Sequence, residues 1–179
     1  MRAFIAIQLP VVIRDYLADL QKTLANDNPR LVINWVEYEN LHLTLLFLGE
    51  LTEEEFNLIK IQLAGVRWPV SFKLTLANIG TFPNNLAPQI LHVTTEPSKE
   101  LTQLVNLLRR EVAELNIPVD KKTFTPHMTL GRIKQNIGPL KYDHEADYLT
   151  FPVTEVTLFE STLGGTGSIY TAHETYHLN

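Results

Sequence analysis

Residues 3–9 are β-rich and alternating and predict an opening strand. From Pro10 the apolar side chains spread out. Ile13, Leu17, Leu20 and Leu24 trace one helical face that ends between Asn26 and Pro29. Residues 31–36 and 41–48 predict two strands joined through the polar segment Glu37 to Asn40. Thr52 followed by Glu55 has the spacing of a capping box, and Leu51 and Phe56 are placed to staple across it. The helix so started runs to about Gly65. A strand of alternating polarity is expected over 70–77, a loop from Gly80 to Pro88 and a short strand over 89–95. Ser98 then caps a helix whose apolar stripe is Leu101, Leu104, Val105, Leu108 and Val112. Strands are expected over 127–133, 153–160 and about 168–178. Gly164, Gly165 and Gly167 mark a hairpin turn before the last one.

The order of elements repeats. Adding 85 carries the strand at Ile5 onto Ile90, the helix near 12–26 onto that near 98–112, and His42 onto His127. The helix over 53–65 falls on Pro139 to Thr150, which has no helical stripe. Neither half is large enough to bury a core alone. One α+β domain over residues 1–179 is therefore expected, made of two lobes related by a pseudo-two-fold axis.

Composition narrows the functions available. Fifteen Lys and Arg stand against twenty Asp and Glu, a net charge of −5, which argues against coating long stretches of nucleic acid but leaves room for a local phosphate pocket. Cysteine is absent, which excludes disulfides, thiolate zinc sites and cysteine nucleophiles. The N-terminus has too few apolar residues before Gln8 and Pro10 for a signal peptide, and no run has membrane-spanning length. A cytoplasmic monomer without membrane association is the expectation.

The chemistry lies in two matching motifs, His42-Leu43-Thr44-Leu45 and His127-Met128-Thr129-Leu130. On a strand, His and Thr of each motif share one face while Leu or Met turns to the core. With 18 Thr and 28 Leu in 179 residues, two such motifs from six histidines arise by chance on the order of four times in a thousand. Two imidazoles facing each other can take a proton from an attacking oxygen and give one to a leaving oxygen. Two hydroxyls beside them can bind the nonbridging oxygens of a phosphate. No metal or cofactor is required by that scheme.

The segments Asn40 to Gly49 and Phe124 to Arg132, in this order, resemble the 2H phosphoesterase superfamily, and within it the RNA 2′,3′-cyclic phosphodiesterases, also called 2′-5′ RNA ligase-like proteins. The likeness extends over the opening Arg2 to Pro10 strand and the late Leu158 to Tyr170 segment with Glu160-Ser161. It implies two mostly antiparallel sheets facing a central cleft, with helices outside. It implies hydrolysis of an RNA or nucleotide 2′,3′-cyclic phosphate to a 2′-phosphomonoester, with 2′-5′ ligation as the reverse reaction. His42 would be the proton donor and His127 the acceptor, with Thr44, Thr129 and Arg132 on the phosphate. The partners implied are RNA 3′ ends or nucleotides carrying a 2′,3′-cyclic phosphate. A binding module for RNA ends or nucleotides, without turnover, stands as the alternative.

Other features read more plainly. Where the family commonly has an aromatic-rich strand, this chain has Ile90-Leu91-His92-Val93, so His92 is expected to be an ordinary strand histidine. Phe82 could stack on a base or pack in the core. His173-Glu174-Thr175-Tyr176-His177 fits a zinc-protease pattern, but on a strand its histidines stand about 13 Å apart, too far for one zinc. The Gly164 to Gly167 stretch lacks a P-loop lysine, and Lys121 and Lys122 read as a solvated pair.

Overall fold

A computed structural model describes residues 1–84, 86–120, 122–135, 140–142, 146–165 and 167–179; Lys121 lies outside them. The strands are β1 (Arg2–Gln8), β2 (Val32–Trp35), β3 (His42–Glu50), β4 (Phe72–Phe82), β5 (Ile90–Thr95), β6 (His127–Gln135), β7 (Thr150–Val153), β8 (Glu155–Leu163) and β9 (Ser168–His177). The helices are α1 (Val11–Asp27), α2 (Glu53–Ala64) and α3 (Lys99–Ala113), with a short 3-10 turn at Tyr38–Asn40. Two antiparallel sheets result, ordered β3-β1-β8-β9 and β2-β6-β5-β4-β7. The fold is α+β, and β3 and β6 lie 85 residues apart at both ends, the offset seen in the sequence.

The helices bury the stripes that the sequence marks. Ile13, Leu17, Leu20 and Leu24 of α1 are buried, as are Leu101, Leu104, Val105, Leu108 and Val112 of α3. Each such side chain contributes about 1.5–3 kcal/mol when removed from water. The capping box forms in full: Glu55 N–H donates to Thr52 Oγ1 at 3.1 Å and Thr52 N–H to Glu55 Oε2 at 2.7 Å. Leu51 and Phe56 are buried across it, and Ser98 Oγ accepts from Leu101 N–H at 3.1 Å. Among the described residues no helix is long and apolar enough to cross a membrane.

Two boundaries depart from the sequence reading. The strand expected over 70–77 continues to Phe82, because its far end pairs with β5 as Gly80↔His92, Thr81↔Leu91 and Phe82↔Ile90 after an irregularity at Ala77–Asn78. The strand expected over 153–160 is β8, and a strand the sequence reading did not mark, β7, precedes it across Thr154 and joins the other sheet. Pro152 is tolerated in β7 because that strand is an edge and pairs only with β4. Cα atoms of β3 and β6 approach within 8 Å, so the two sheets meet along the strands that carry the motifs, and His127 is near enough for its charge to act on His42.

Candidate active site

Each motif strand carries a bulge at the same place. In β3, Ala6 pairs with Thr44 and Ile5 with Leu46, leaving Leu45 without a partner. In β6, His92 pairs with Thr129 and Leu91 with Gly131, leaving Leu130 over. An extra residue shifts the alternation of side chains by one. His42 and Thr44 share the half-buried face of β3; Leu45 and Leu46 are both buried; Phe47 returns to the open face. In β6, His127 and Thr129 share a face, Leu130 and Gly131 are both buried, and Arg132 returns to the face of His127. Plain alternation would put Arg132 with Met128, facing the core. The carbonyl of Leu130 accepts from Val36 N–H at 2.9 Å and from Gln21 Nε2 at 2.8 Å, so the bulge is tied to α1.

The two imidazoles are held alike. His42 Nδ1 lies 2.6 Å from the carbonyl of Asn40, and His127 Nδ1 lies 2.8 Å from that of Thr125, each two residues upstream. A carbonyl only accepts, so each Nδ1 carries its hydrogen and each Nε2 is left for proton transfer. His42 Nε2 is 2.9 Å from Thr44 Oγ1. Thr129 Oγ1 has no hydrogen-bond partner among the described residues, and Arg132 is exposed.

Their surroundings differ. The His42 ring packs on Phe4 at 5.1 Å and meets the edge of Tyr170 at 5.3 Å. Burial lowers its pKa below the ordinary 6.5; the Asn40 carbonyl opposes this in part, and the charge of nearby His127 adds to it. On the other sheet His92 is buried, stacked on Phe82 at 4.0 Å and set edge-on to His127 at 5.5 Å. Phe82 also meets His127 at 5.0 Å. Burial, with a smaller part from His127, lowers the pKa of His92 to about 4, which keeps it neutral.

The profile of the LigT-like phosphoesterases matches the chain twice in succession, over residues 7–92 and 91–170. The chain belongs to the LigT-like phosphoesterase family. A Thermotoga maritima protein named RNA 2′,3′-cyclic phosphodiesterase is 32% identical, over 95% of this chain and 91% of its own. A Thermus thermophilus crystal structure superposes with a TM-score of 0.88 at 33% identity, covering 99% of this chain and 98% of that one. Escherichia coli LigT complexed with 3′-AMP superposes with a TM-score of 0.77 at 29% identity, covering 99% and 96%.

In this LigT-like chain His92 is more than the plain strand histidine expected. It is a core residue by exposure, but its ring touches His127, because the β5–β6 register sets His92 opposite Thr129 and Thr94 opposite His127. The alternation Ile90, His92, Thr94 was the available signal. Phe82 lies on the same face, since Phe82 pairs with Ile90. Tyr170 and the carbonyls of Asn40 and Thr125 also belong to the site; the last two are marked only by their shared place two residues before each histidine. The C-terminal pattern lies on β9, where His173 faces Glu160 at 3.0 Å and His177 faces Glu155 at 3.4 Å. Each histidine thus has its own carboxylate.

Proposed function

We propose that this protein hydrolyses 2′,3′-cyclic phosphate ends of RNA or nucleotides to 2′-phosphomonoesters by two-histidine acid–base catalysis. The observation that carries the reading is the pair of Nδ1–H···O=C contacts, which leaves one proton-transfer nitrogen on each side of the junction between the sheets. His127 Nε2 takes a proton from water as its oxygen bonds to phosphorus. The P–O3′ bond breaks, its electron pair goes to O3′, and His42 Nε2 delivers the proton that O3′ needs. Thr44, Thr129 and Arg132 bind the nonbridging oxygens, where charge builds up in the transition state. A buried imidazole holds its proton poorly, so the anionic phosphate itself raises the proton affinity of His42 once bound. With a 5′-hydroxyl in place of water the same groups in the same roles would form a bond from O5′ to phosphorus and break P–O3′, which is 2′-5′ ligation. The scheme assigns no task to a metal or cofactor.

Phosphorus NMR of the products formed from a nucleoside 2′,3′-cyclic phosphate tests this. A single 2′-phosphomonoester resonance is expected, absent with His42→Ala or His127→Ala. A 3′-phosphate product would overturn the direction of opening. Tight binding without turnover would favour a binding module.

A further inference from the structure

Next to His42 the first sheet opens into a cavity of about 220 Å³ lined by Gln8, Arg14, Asn40, His42 and Tyr170 among others, with no residue of the second sheet. Arg14 stands in the first turn of α1, with its guanidinium carbon 4.9 Å over the Tyr38 ring. Its Nε is shut off from solvent without a hydrogen-bond partner, and the side chain pairs with no carboxylate among the described residues. Asp15, the nearest acid in sequence, accepts instead from the Tyr38 hydroxyl at 2.7 Å. Glu39 also lines the cavity, but it makes no ion pair with Arg14. The buried Nε is out of a ligand's reach, but the terminal Nη groups make no hydrogen bond among the described residues, and an arginine fork fits phosphate oxygens better than most partners.

The reacting phosphate does not fill this need. It belongs between the two Nε2 atoms with Arg132 on the second sheet, and the cavity has no wall there. Building on the function proposed above, we propose that Arg14 and this cavity bind a second phosphate of the substrate: the phosphodiester linking the terminal nucleotide to its 5′ neighbour. The site then reads two consecutive phosphates and prefers the end of an RNA chain to a single nucleotide. Gln8, exposed and paired in register with His42, lines the same cavity with an amide that makes no hydrogen bond among the described residues. The Asn40 amide is already spent on the carbonyl of Ser168 at 2.8 Å.

Steady-state rates on uridine 2′,3′-cyclic phosphate and on the dinucleotide UpU ending in 2′,3′-cyclic phosphate test the proposal in wild type, Arg14→Gln, Arg14→Lys and, as a control on the same helix, Lys22→Gln. Arg14→Gln should lower the dinucleotide-to-mononucleotide ratio of kcat/KM about tenfold, mostly through KM. Arg14→Lys should lie between, and Lys22→Gln should leave the ratio alone. For the dinucleotide, the slope of log kcat/KM against log salt should flatten by about 0.7 in Arg14→Gln, the share of one single-strand phosphate contact. Equal loss on both substrates, or an unchanged ratio, overturns the proposal. If wild type turned over neither substrate the catalytic reading would fail, and titration with the corresponding 2′-phosphates would still decide the subsite. Wild type should bind the dinucleotide about tenfold more tightly, and Arg14→Gln should lose that margin; equal affinity in wild type overturns it.

Discussion

His92 gives a prediction with a calculable size. Its side chain is 3% exposed, and its pKa lies at about 4 in the folded protein against 6.5 ordinarily. As pH falls below 6.5, the unfolded chain takes up a proton that the folded protein refuses until about pH 4. The stability held above 6.5 therefore drains away through that window. The interval is about two and a half pH units, and each unit is worth 1.36 kcal/mol, so the loss by pH 4 is about 3 kcal/mol. The perturbation that isolates it is His92→Phe, which keeps a planar ring against Phe82 but cannot titrate. Urea unfolding followed by Trp35 and Trp68 fluorescence at pH 7, 6, 5 and 4 reads the difference. Wild type should lose about 3 kcal/mol more than His92→Phe between pH 7 and pH 4. With a slope of about 2 kcal/mol/M, that is about 1.5 M in midpoint. Groups that titrate in both proteins cancel. Parallel stability curves for the two proteins would refute the claim that burial holds this imidazole neutral.

The proposed roles of the two histidines separate by leaving group: His42→Ala should regain at least tenfold of its lost rate on a nitrophenyl phosphodiester, whose leaving group needs no proton, while His127→Ala stays slow on both substrates. Equal rescue in rate assays would refute the assignment. As the proposed acid, His42 would act protonated, and since burial lowers its pKa, kcat/KM should fall on the alkaline side from a pH below 6.5, which a pH–rate profile checks. A Cβ at Gly80 would sit 3.0 Å from Nε2 of His92, a ring held under Phe82. Gly80→Ala should therefore cost about 1–3 kcal/mol in unfolding free energy and several-fold in kcat by displacing His127, measured by denaturation and steady-state rates.

Much of this was legible from the sequence because its signals are local. The stripes of α1 and α3, the Thr52–Glu55 box, the Ser98 cap and the two His-x-Thr motifs all depend on spacings of a few residues. The parts that were not legible depend on pairing between distant strands. His92 meets His127 only through the β5–β6 register, and Phe82 joins them only because β4 outlasts its alternating stretch. Arg14 lies 24 positions from Tyr38 in a helix that reads as an ordinary amphipathic one, and nothing in its spacing says that it faces the cavity beside His42. β7 was hidden because it and β8 are nearly continuous in sequence and part only to join different sheets.

The bulges at Leu45 and Leu130 also decide which changes in length these strands can absorb. A β-strand is read in a frame of two, and each bulge is a single-residue shift of that frame. Deleting Leu130 would remove the extra residue and the bulge together, and plain alternation would then still set Arg132 on the face of His127. Substituting Leu130 by another apolar residue would disturb only packing. Along these two strands, then, loss of the extra residue and substitution at the bulge are the mild changes, and an insertion or deletion elsewhere, which shifts the frame with the bulge kept, is the severe one. A chain that drifted in sequence could keep its site for as long as it kept count.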